Sequence, residues 1–192
     1  MQAFHQHTGV VVPLPRPDID TDQIIPKQFL KRLGRTGYDD ALFYDWRTSG
    51  APFVLNDPRY AGASILVGGA NFGCGSSREH AVWALHDYGF RVVLAPSFAD
   101  IFASNAVANG FLAARVAPAV ADALVRAATA SPGCSATVDL QGLRVSGPDG
   151  LDAPIVADDR ARIRLLAGLD DIDLILQHED AIRRYEAAHP RR

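Results

Sequence analysis

The residues with the clearest chemical potential form one run, Gly69 to Ala81, which reads GANFGCGSSREHA. In this run two adjacent serines, Ser76 and Ser77, are followed directly by Arg78. The run leads from a predicted strand into a predicted helix, and the free N–H groups at a helix N-terminus favour an anion. An arginine fork can bind a carboxylate through two parallel hydrogen bonds. We therefore predict a site for a carboxylate, or for a serine that becomes negatively charged.

The same run also has a purely structural interpretation. Ser76 and Glu79 match the capping box S-x-x-E, with Ser76 at the N-cap of the helix and Glu79 at its third position. Two glycines, Gly73 and Gly75, allow a tight turn before it. The nucleophile elbow of hydrolases does not fit, because Arg78 stands where that motif needs glycine. The anion site and the helix cap both remain open at this point.

The pattern around this run predicts the elements that position it. We predict strands at residues 8–14, 63–69, 91–95, 111–116, 136–140 and 143–146. We predict helices at residues 78–88, 97–109, 120–130, 159–168 and 171–188, with a candidate break near His178. A long ordered loop with short helical pieces spans residues 28–60. The alternation of strand and helix in the middle of the chain predicts an α/β fold with a parallel core.

Composition limits the possible function classes. The chain has 192 residues, 48% hydrophobic and 21% charged, which indicates one globular domain rather than a disordered chain. A formal net charge of −3 argues against nucleic acid as the main partner. There is no apolar run long enough for a membrane span, and no apolar signal segment follows Met1, so we expect a cytoplasmic protein.

The remaining polar residues have ordinary structural explanations, and we predict no metal site. His5 and His7 lack further ligands nearby, and the aspartates at 18, 20 and 22 lack the glycine and glutamate of a calcium loop. His80 is interpreted as a packing residue. The two cysteines, Cys74 and Cys134, are too few for an iron–sulfur cluster, which takes about three or four.

Several segments carry a resemblance to a known family: DIDTDQIIP at 18–26, GSSREHA at 75–81 and DYGFRVVLAPSFADIFASNAVANG at 87–110. They resemble the aconitase-like swivelling domain. Over nearly all of residues 1–190, the order of motifs resembles the small subunits of bacterial 3-isopropylmalate dehydratases. The resemblance implies a three-layer β/β/α fold with a mixed sheet. It also implies a single domain over 1–192, a substrate-selecting loop near 28–40 and a helical C-terminal extension at about 159–190.

The resemblance also implies an activity and a partner. Members of this family are hydro-lyase subunits that work with a large subunit, which holds a [4Fe–4S] cluster, in a heterodimer or heterotetramer. The pair interconverts 2-isopropylmalate and 3-isopropylmalate, a dicarboxylate, by dehydration and rehydration in leucine biosynthesis. In this family Ser76 matches the base, Ser77 part of the anion-holding pocket, and Arg78 the group that grips a substrate carboxylate. The cluster would belong to the partner, which agrees with the cysteine count.

Further residues match the family's substrate-binding segments. Thr21 and Asp22 match its N-terminal active-site segment. Leu30, Arg35 and Thr36 lie in the loop that selects the substrate side group, where Leu30 suits an apolar group and Arg35 a carboxylate. Solvated loop charges remain an alternative explanation for Arg35. Homoaconitate or citraconate remains open as the substrate, a non-catalytic regulatory role remains open for the chain, and a stand-alone serine hydrolase is disfavoured.

Overall fold

Within the described residues, seven strands close into one barrel. The computed structural model describes residues 1–189, so the last residue of the predicted extension, Pro190, and the Arg191–Arg192 pair fall outside the described residues. The strands are β1 (Gln6–Leu14), β2 (Ile65–Gly68), β3 (Val92–Ala95), β4 (Leu112–Val116), β5 (Ser135–Asp139), β6 (Arg144–Ser146) and β7 (Asp152–Val156). Around the barrel their order is β1-β2-β3-β4-β7-β6-β5. Neighbours from β1 to β4 are parallel, and all other pairs are antiparallel.

Eight helices accompany the strands within residues 1–189. They are α1 (Thr21–Ile24), α2 (Tyr44–Thr48), α3 (His80–Tyr88), α4 (Asp100–Ala108), α5 (Pro118–Ala130), α6 (Asp159–Ala167), α7 (Asp171–Leu176) and α8 (Glu179–Ala188). None of these helices is long and apolar enough to cross a membrane. Strand and helix alternate from β2 to α5, as the sequence pattern predicts.

The first strand, β1, belongs to two pairings at once. Residues 11–14 pair with β2 in parallel, whereas residues 6–10 pair with β5 in the antiparallel direction. One strand therefore joins the parallel part of the barrel to the antiparallel part.

The parallel strands are apolar on both faces because both faces are covered. All residues of β2 and β3 are buried, as is usual for parallel sheets. Leu66 and Val93 pack in one core cluster with α3 and α4. Ile65 and Val67 pack in a second cluster with α5 and strands β5 to β7. Helices α3 and α4 therefore cover one face of the parallel strands, and the antiparallel strands with α5 cover the other, which confirms the predicted α/β fold with a mixed sheet.

Helix α3 begins later than predicted. Its first residue is His80, and it ends at Gly89, whose φ of 118° is left-handed, as expected for a C-cap glycine. The predicted capping box is wrong: Glu79 itself is the N-cap, and Ser76 lies outside the helix. The Glu79 carboxylate instead accepts from Asn109 Nδ2 at 2.8 Å. The Glu79 side chain is therefore bound by a residue thirty positions later in the chain and does not form a capping box with Ser76.

Helix α4 also begins later than predicted, at Asp100 rather than Ser97. The Ser97 hydroxyl accepts a hydrogen bond from the backbone N–H of Asn71 at 2.8 Å. Ser97 thus ties the loop after β3 to the serine-bearing loop after β2 instead of capping the helix that follows it.

The long loop of residues 28–60 is ordered and contains short helical pieces, as predicted. Besides α2, it contains 3-10 turns at Lys27–Lys31, Asp39–Ala41, Val54–Asn56 and Pro58–Tyr60. Its aromatic residues form its core: Phe43 stacks on Trp46 with ring centroids 5.3 Å apart, and Phe53 meets both rings edge-on.

The last third confirms the hairpin of β5 and β6 and the break near His178, which precedes α8. The short strand β7 was not predicted. Its residues alternate exposed and buried, with Ala153 and Ile155 inward. Pro154 within it obscures the strand pattern, because proline removes a ladder hydrogen bond.

Candidate active site

The candidate site is built on residues 71–79, called here the serine segment, which links β2 to α3. The segment is held against residues 19–21 by backbone hydrogen bonds. The N–H of Gly73 donates to the carbonyl of Ile19 at 2.7 Å, and the N–H of Thr21 donates to the carbonyl of Cys74 at 2.9 Å. Two stretches that are fifty residues apart in sequence therefore form one surface.

Two glycines give the serine segment its path. Gly73 has a φ of 78° and Gly75 a φ of 90°, values that residues with a Cβ rarely adopt. A Cβ on Gly73 would lie 2.2 Å from Cγ of Phe102 in α4, whereas a Cβ on Gly75 would lie 3.3 Å from its nearest neighbour, Cβ of Asp20. Gly73 is thus needed for space as well as for conformation.

Ser76 and Ser77 are both exposed on this surface. Within residues 1–189, the backbone N–H groups of Gly75, Ser76 and Ser77 make no hydrogen bond to another backbone carbonyl. Three successive free N–H groups beside a hydroxyl form an arrangement that can hold an oxyanion. The donors that the predicted anion site would use therefore belong to the loop itself, ahead of the helix N-terminus.

Arg78 is fixed by the N-terminal part of the chain. Its Nη1 donates to Asp22 Oδ1 and, at 3.4 Å, to the carbonyl of Ile25. The Arg78 side chain is 15% exposed and that of Asp22 is 54% exposed. Because both bonds use Nη1, the Nε–Nη2 edge has no partner among the described residues. This edge can bind a carboxylate bidentately.

Thr21 lies behind the serine segment. Its side chain is 2% exposed, and its Oγ1 donates to the carbonyl of Ser76 at 3.0 Å. The structure therefore places Thr21 and Asp22 next to Ser76 and Arg78. Thr21 contacts Ser76 through a hydrogen bond to the Ser76 backbone.

The predicted substrate-selecting loop packs beside the start of α3. The buried ring of Tyr38 meets His80 edge-on with centroids 5.5 Å apart. The Arg35 guanidinium lies 5.9 Å from the centroid of the Trp83 ring. Leu30 is half-buried on a 3-10 turn and Thr36 is exposed. The structure thus brings Arg35 to the helix that follows the serine segment and shows no contact of Leu30 or Thr36 with the serines.

Two supporting groups were missed by sequence reasoning. Arg32 pairs with Asp40 through two hydrogen bonds of 2.6 and 2.8 Å, which closes the loop around Tyr38. Asn109 bonds both the Glu79 carboxylate and the indole N–H of Trp83. In the sequence Asn109 is visible only as the end of a helix. A polar side chain aimed at a helix start thirty residues earlier leaves no local signal.

Among the titratable groups beside the site, the Cys74 thiol is a poor candidate for a nucleophile. Burial raises the pKa of the Cys74 thiol, and the carboxylates of Asp20 and Asp18 raise it further. Burial lowers the pKa of His80, with Glu79 opposing that shift and Arg78 reinforcing it. Within residues 1–189 no three metal-ligating side chains come together. Cys74 and Cys134 alone do not fit a [4Fe–4S] cluster.

Comparisons with known proteins show which family this chain is similar to. The model of the aconitase C-terminal domain matches residues 1–119, and the model of the C-terminal domain of the 3-isopropylmalate dehydratase small subunit matches residues 171–192. A 3-isopropylmalate dehydratase small subunit from Koribacter versatilis is 56% identical over 194 residues, covering 98% of this chain and all of that protein. One from Frankia casuarinae is 54% identical over 190 residues, covering 99% and 96%.

A solved structure has the same fold. The 3-isopropylmalate dehydratase of Methanocaldococcus jannaschii superposes with a TM-score of 0.68 at 22% identity, covering 94% of this chain and 99% of that one. The identity and coverage of the Koribacter and Frankia proteins, with both family models, go beyond a shared fold. The chain belongs to the family of 3-isopropylmalate dehydratase small subunits, which is built on the aconitase C-terminal domain.

Proposed function

We propose that this chain is one half of the active site of a 3-isopropylmalate dehydratase, a hydro-lyase of leucine biosynthesis. The observation that carries the proposal is the pairing of an exposed Ser76 with an Arg78 whose Nε–Nη2 edge is free. Three free backbone N–H groups adjoin Ser76. These groups suit a substrate with a carboxylate next to an acidic carbon.

Ser76 acts as the base in this proposal. Its Oγ, as an alkoxide, takes the proton from the carbon next to a substrate carboxylate, and the electron pair left on carbon forms the double bond as hydroxide departs from the neighbouring carbon. Rehydration in the opposite orientation returns the proton from Ser76. A serine alkoxide is costly in water. The free N–H groups of Gly75, Ser76 and Ser77 offset that cost once water is excluded.

Arg78 orients the substrate. Asp22 holds Nη1, so the opposite edge of the guanidinium is presented in one direction. A bidentate carboxylate on that edge also reduces the negative charge next to the carbon that loses its proton. Thr21 keeps the Ser76 carbonyl in place and so fixes the direction of the Ser76 side chain. Arg35 offers a second cation at the edge of the site.

The other half of the site comes from a large subunit. Ser76 and Ser77 are exposed in this chain, whereas an alkoxide base needs a site that excludes water. A Lewis acid for the departing hydroxide would come from the partner, for which the family resemblance implies a [4Fe–4S] cluster. Cys74 and Cys134 are both free thiols, which fits assembly in a reducing compartment such as the cytoplasm.

The loop of residues 28–40 favours an apolar substrate side group. Leu33, at the tip of the loop, is 98% exposed. The loop around it is fixed by the Arg32–Asp40 pair and by the Tyr38 hydroxyl, which donates to the carbonyls of Arg32 and Gly34 at 3.2 and 3.1 Å. A fixed loop that presents leucine supports isopropylmalate over homoaconitate, whose side group carries a further carboxylate.

The test is anaerobic turnover of 2-isopropylmalate, followed by the absorbance of the unsaturated intermediate. We expect activity when this chain is mixed with the cluster-loaded large subunit and none with either chain alone. Ser76→Ala should lower kcat by about 10²–10⁴-fold, the usual contribution of a general base. It should leave the fold intact, because the Ser76 side chain is exposed in this chain, and co-purification with the large subunit checks that the two chains still pair.

The matched control is Ser146→Ala, which changes an exposed serine on β6. This variant should keep full activity. Retention of most activity in Ser76→Ala would show that Ser76 is not the base. A mixture that turns over homoaconitate or citraconate but not 2-isopropylmalate would keep the mechanism and change the substrate.

A further inference from the structure

A second cavity lies between α4, β4 and α6, and none of its lining residues belongs to the serine segment. Its volume is about 420 Å³, within the range of small-molecule sites. Its apolar lining includes Phe98, Val107, Leu112 and Leu165. The cavity therefore has room for a small ligand with an aliphatic body.

Three arginines line this cavity from two different elements. Arg115 comes from β4, and Arg160 and Arg164 come from α6. Arg160 and Arg164 are four residues apart and so share one face of the helix. Within residues 1–189, neither Arg115 nor Arg160 forms an ion pair. Two cationic side chains at this cavity are thus available to an anion.

The side chain of Arg164 has nitrogens that lack a hydrogen-bond acceptor. Its Nε and Nη2 are shielded from solvent and make no hydrogen bond within residues 1–189. Nη2 lies 2.8 Å from Asp171 Oδ1 and forms an ion pair with it, so Nε is the shielded nitrogen that is left without any partner. A buried donor without an acceptor is unfavourable. A ligand carboxylate that reaches Nε would supply the missing acceptor.

Two acidic residues also line the cavity, Asp100 and Asp158. The Asp158 carboxylate is already engaged: its Oδ1 accepts from the backbone N–H groups of Arg160 and Ala161 at 3.0 and 3.1 Å, which caps α6. With Asp171, which pairs with Arg164, three carboxylates stand against three guanidinium groups here. Arg115 and Arg160 are the two arginines of the lining that have no ion pair within residues 1–189, and a ligand carboxylate would pair with them.

We propose that this cavity binds a small aliphatic carboxylate, with the carboxylate on the arginines and the carbon chain against Phe98, Val107 and Leu112. The proposal concerns residues of this chain alone and does not depend on the activity proposed for Ser76. It is therefore tested on the isolated chain, by binding rather than by turnover.

The probe is 4-methylpentanoate, titrated into the purified chain and followed by calorimetry and by backbone amide shifts. We expect saturable millimolar binding, with shifts at α6 and at the start of α4. Acetate, which lacks the aliphatic body, and 4-methylpentan-1-ol, which lacks the charge, should each bind about tenfold more weakly or worse.

Arg164→Gln should weaken binding of 4-methylpentanoate by about tenfold or more, since it removes a charge-assisted donor. Arg183→Gln, on α8 and paired with Glu179 in the same helix, is the matched control and should bind like the parent. Arg115→Gln, an exposed change on β4, provides a second test if Arg164→Gln unfolds.

Either of two results would overturn the proposal. One is the absence of saturable binding up to about 20 mM, well beyond a millimolar Kd. The other is equal binding by the parent, Arg164→Gln and Arg115→Gln. If no carboxylate binds and Arg164→Gln instead weakens association with the large subunit, the cavity is part of the interface between the two subunits and the proposal is wrong.

Discussion

The hydroxyl of Thr21 is buried and donates to the carbonyl of Ser76 at 3.0 Å. Through this bond, Thr21 fixes the backbone that carries the proposed base, Ser76, although Thr21 itself is not exposed to solvent. Asp22, its neighbour, does the same for the guanidinium of Arg78. Both residues thus support the site by holding the proposed base and arginine in position.

Thr21→Val tests this role, because valine keeps the shape of threonine and removes the hydroxyl. We expect kcat of the reconstituted enzyme to fall several-fold with little change in KM. We also expect the free energy of unfolding to fall by about 1 kcal/mol, the usual net value of one hydrogen bond. Steady-state kinetics and urea unfolding measure the two effects.

Thr21→Ser, which restores the hydroxyl, should recover most of the kcat. Loss of stability in Thr21→Val without any change in kcat would mean that the bond serves the fold alone. A rise in KM with unchanged kcat would instead indicate that Thr21 contacts the substrate.

At the scale of single residues, the sequence indicates the candidate site residues but not how they are arranged in space. Ser76, Arg78 and Asp22 were singled out from residue type, spacing and family resemblance, and the structure brings them together. The capping box of Ser76 and Glu79 was wrong because a local motif cannot show that Asn109, thirty residues on, takes the Glu79 carboxylate. A hydrogen bond between side chains of different helices cannot be predicted from the spacing of residues within one helix.

The serine segment depends on two glycines that differ in their surroundings. Both have left-handed φ values, but only Gly73 faces the Phe102 side chain at a distance that excludes a Cβ. Phe102 also packs against Phe72 with ring centroids 5.3 Å apart. The path of the segment is therefore set by the packing of α4 beneath it.

Gly73→Ala should accordingly be much more damaging than Gly75→Ala. A left-handed alanine costs about 1–2 kcal/mol at either position. At Gly73 the overlap with Phe102 adds about 1–3 kcal/mol of overpacking. Thermal and urea unfolding of the two variants measure the difference. Equal losses would show that the loop moves freely away from α4.

The elements themselves were largely predictable. Largely apolar runs that follow a glycine identified β2, β3 and β4, and the i, i+3, i+4 pattern identified α3. The strand β7 was missed because its inward residues, Ala153 and Ile155, are few and flank Pro154. Its place between β4 and β6 is set by the closure of the barrel, which no local pattern records.

Three partly buried histidines make the stability of the whole molecule depend on pH. Burial lowers the pKa of His7, His80 and His86, and Arg91 lowers it further for His7 and His86. The unfolded chain therefore binds more protons than the folded chain between the ordinary value of 6.5 and the lower folded values. In that window stability must fall as pH falls.

We expect the free energy of unfolding to decrease when the pH is lowered from about 7.5 to about 5.5. The slope should correspond to up to three protons, one for each histidine, taken up on unfolding. The Asp40 carboxyl, whose pKa is lowered by Arg32, contributes only in more acidic solution. Urea unfolding across this range measures the slope, and His86→Gln should reduce it. A flat or rising free energy on acidification would contradict the prediction.

The double pairing of β1 has a consequence for biosynthesis. The N-terminal half of that strand pairs with β5, whose partner residues lie more than a hundred positions later, as in Gln6 with Asp139. A ribosome releasing the chain in order exposes the apolar strands β1 to β4 before the residues that close the barrel have been made. High contact order of this kind slows folding and prolongs exposure to aggregation. The nascent chain therefore cannot close its barrel until residue 156 has emerged.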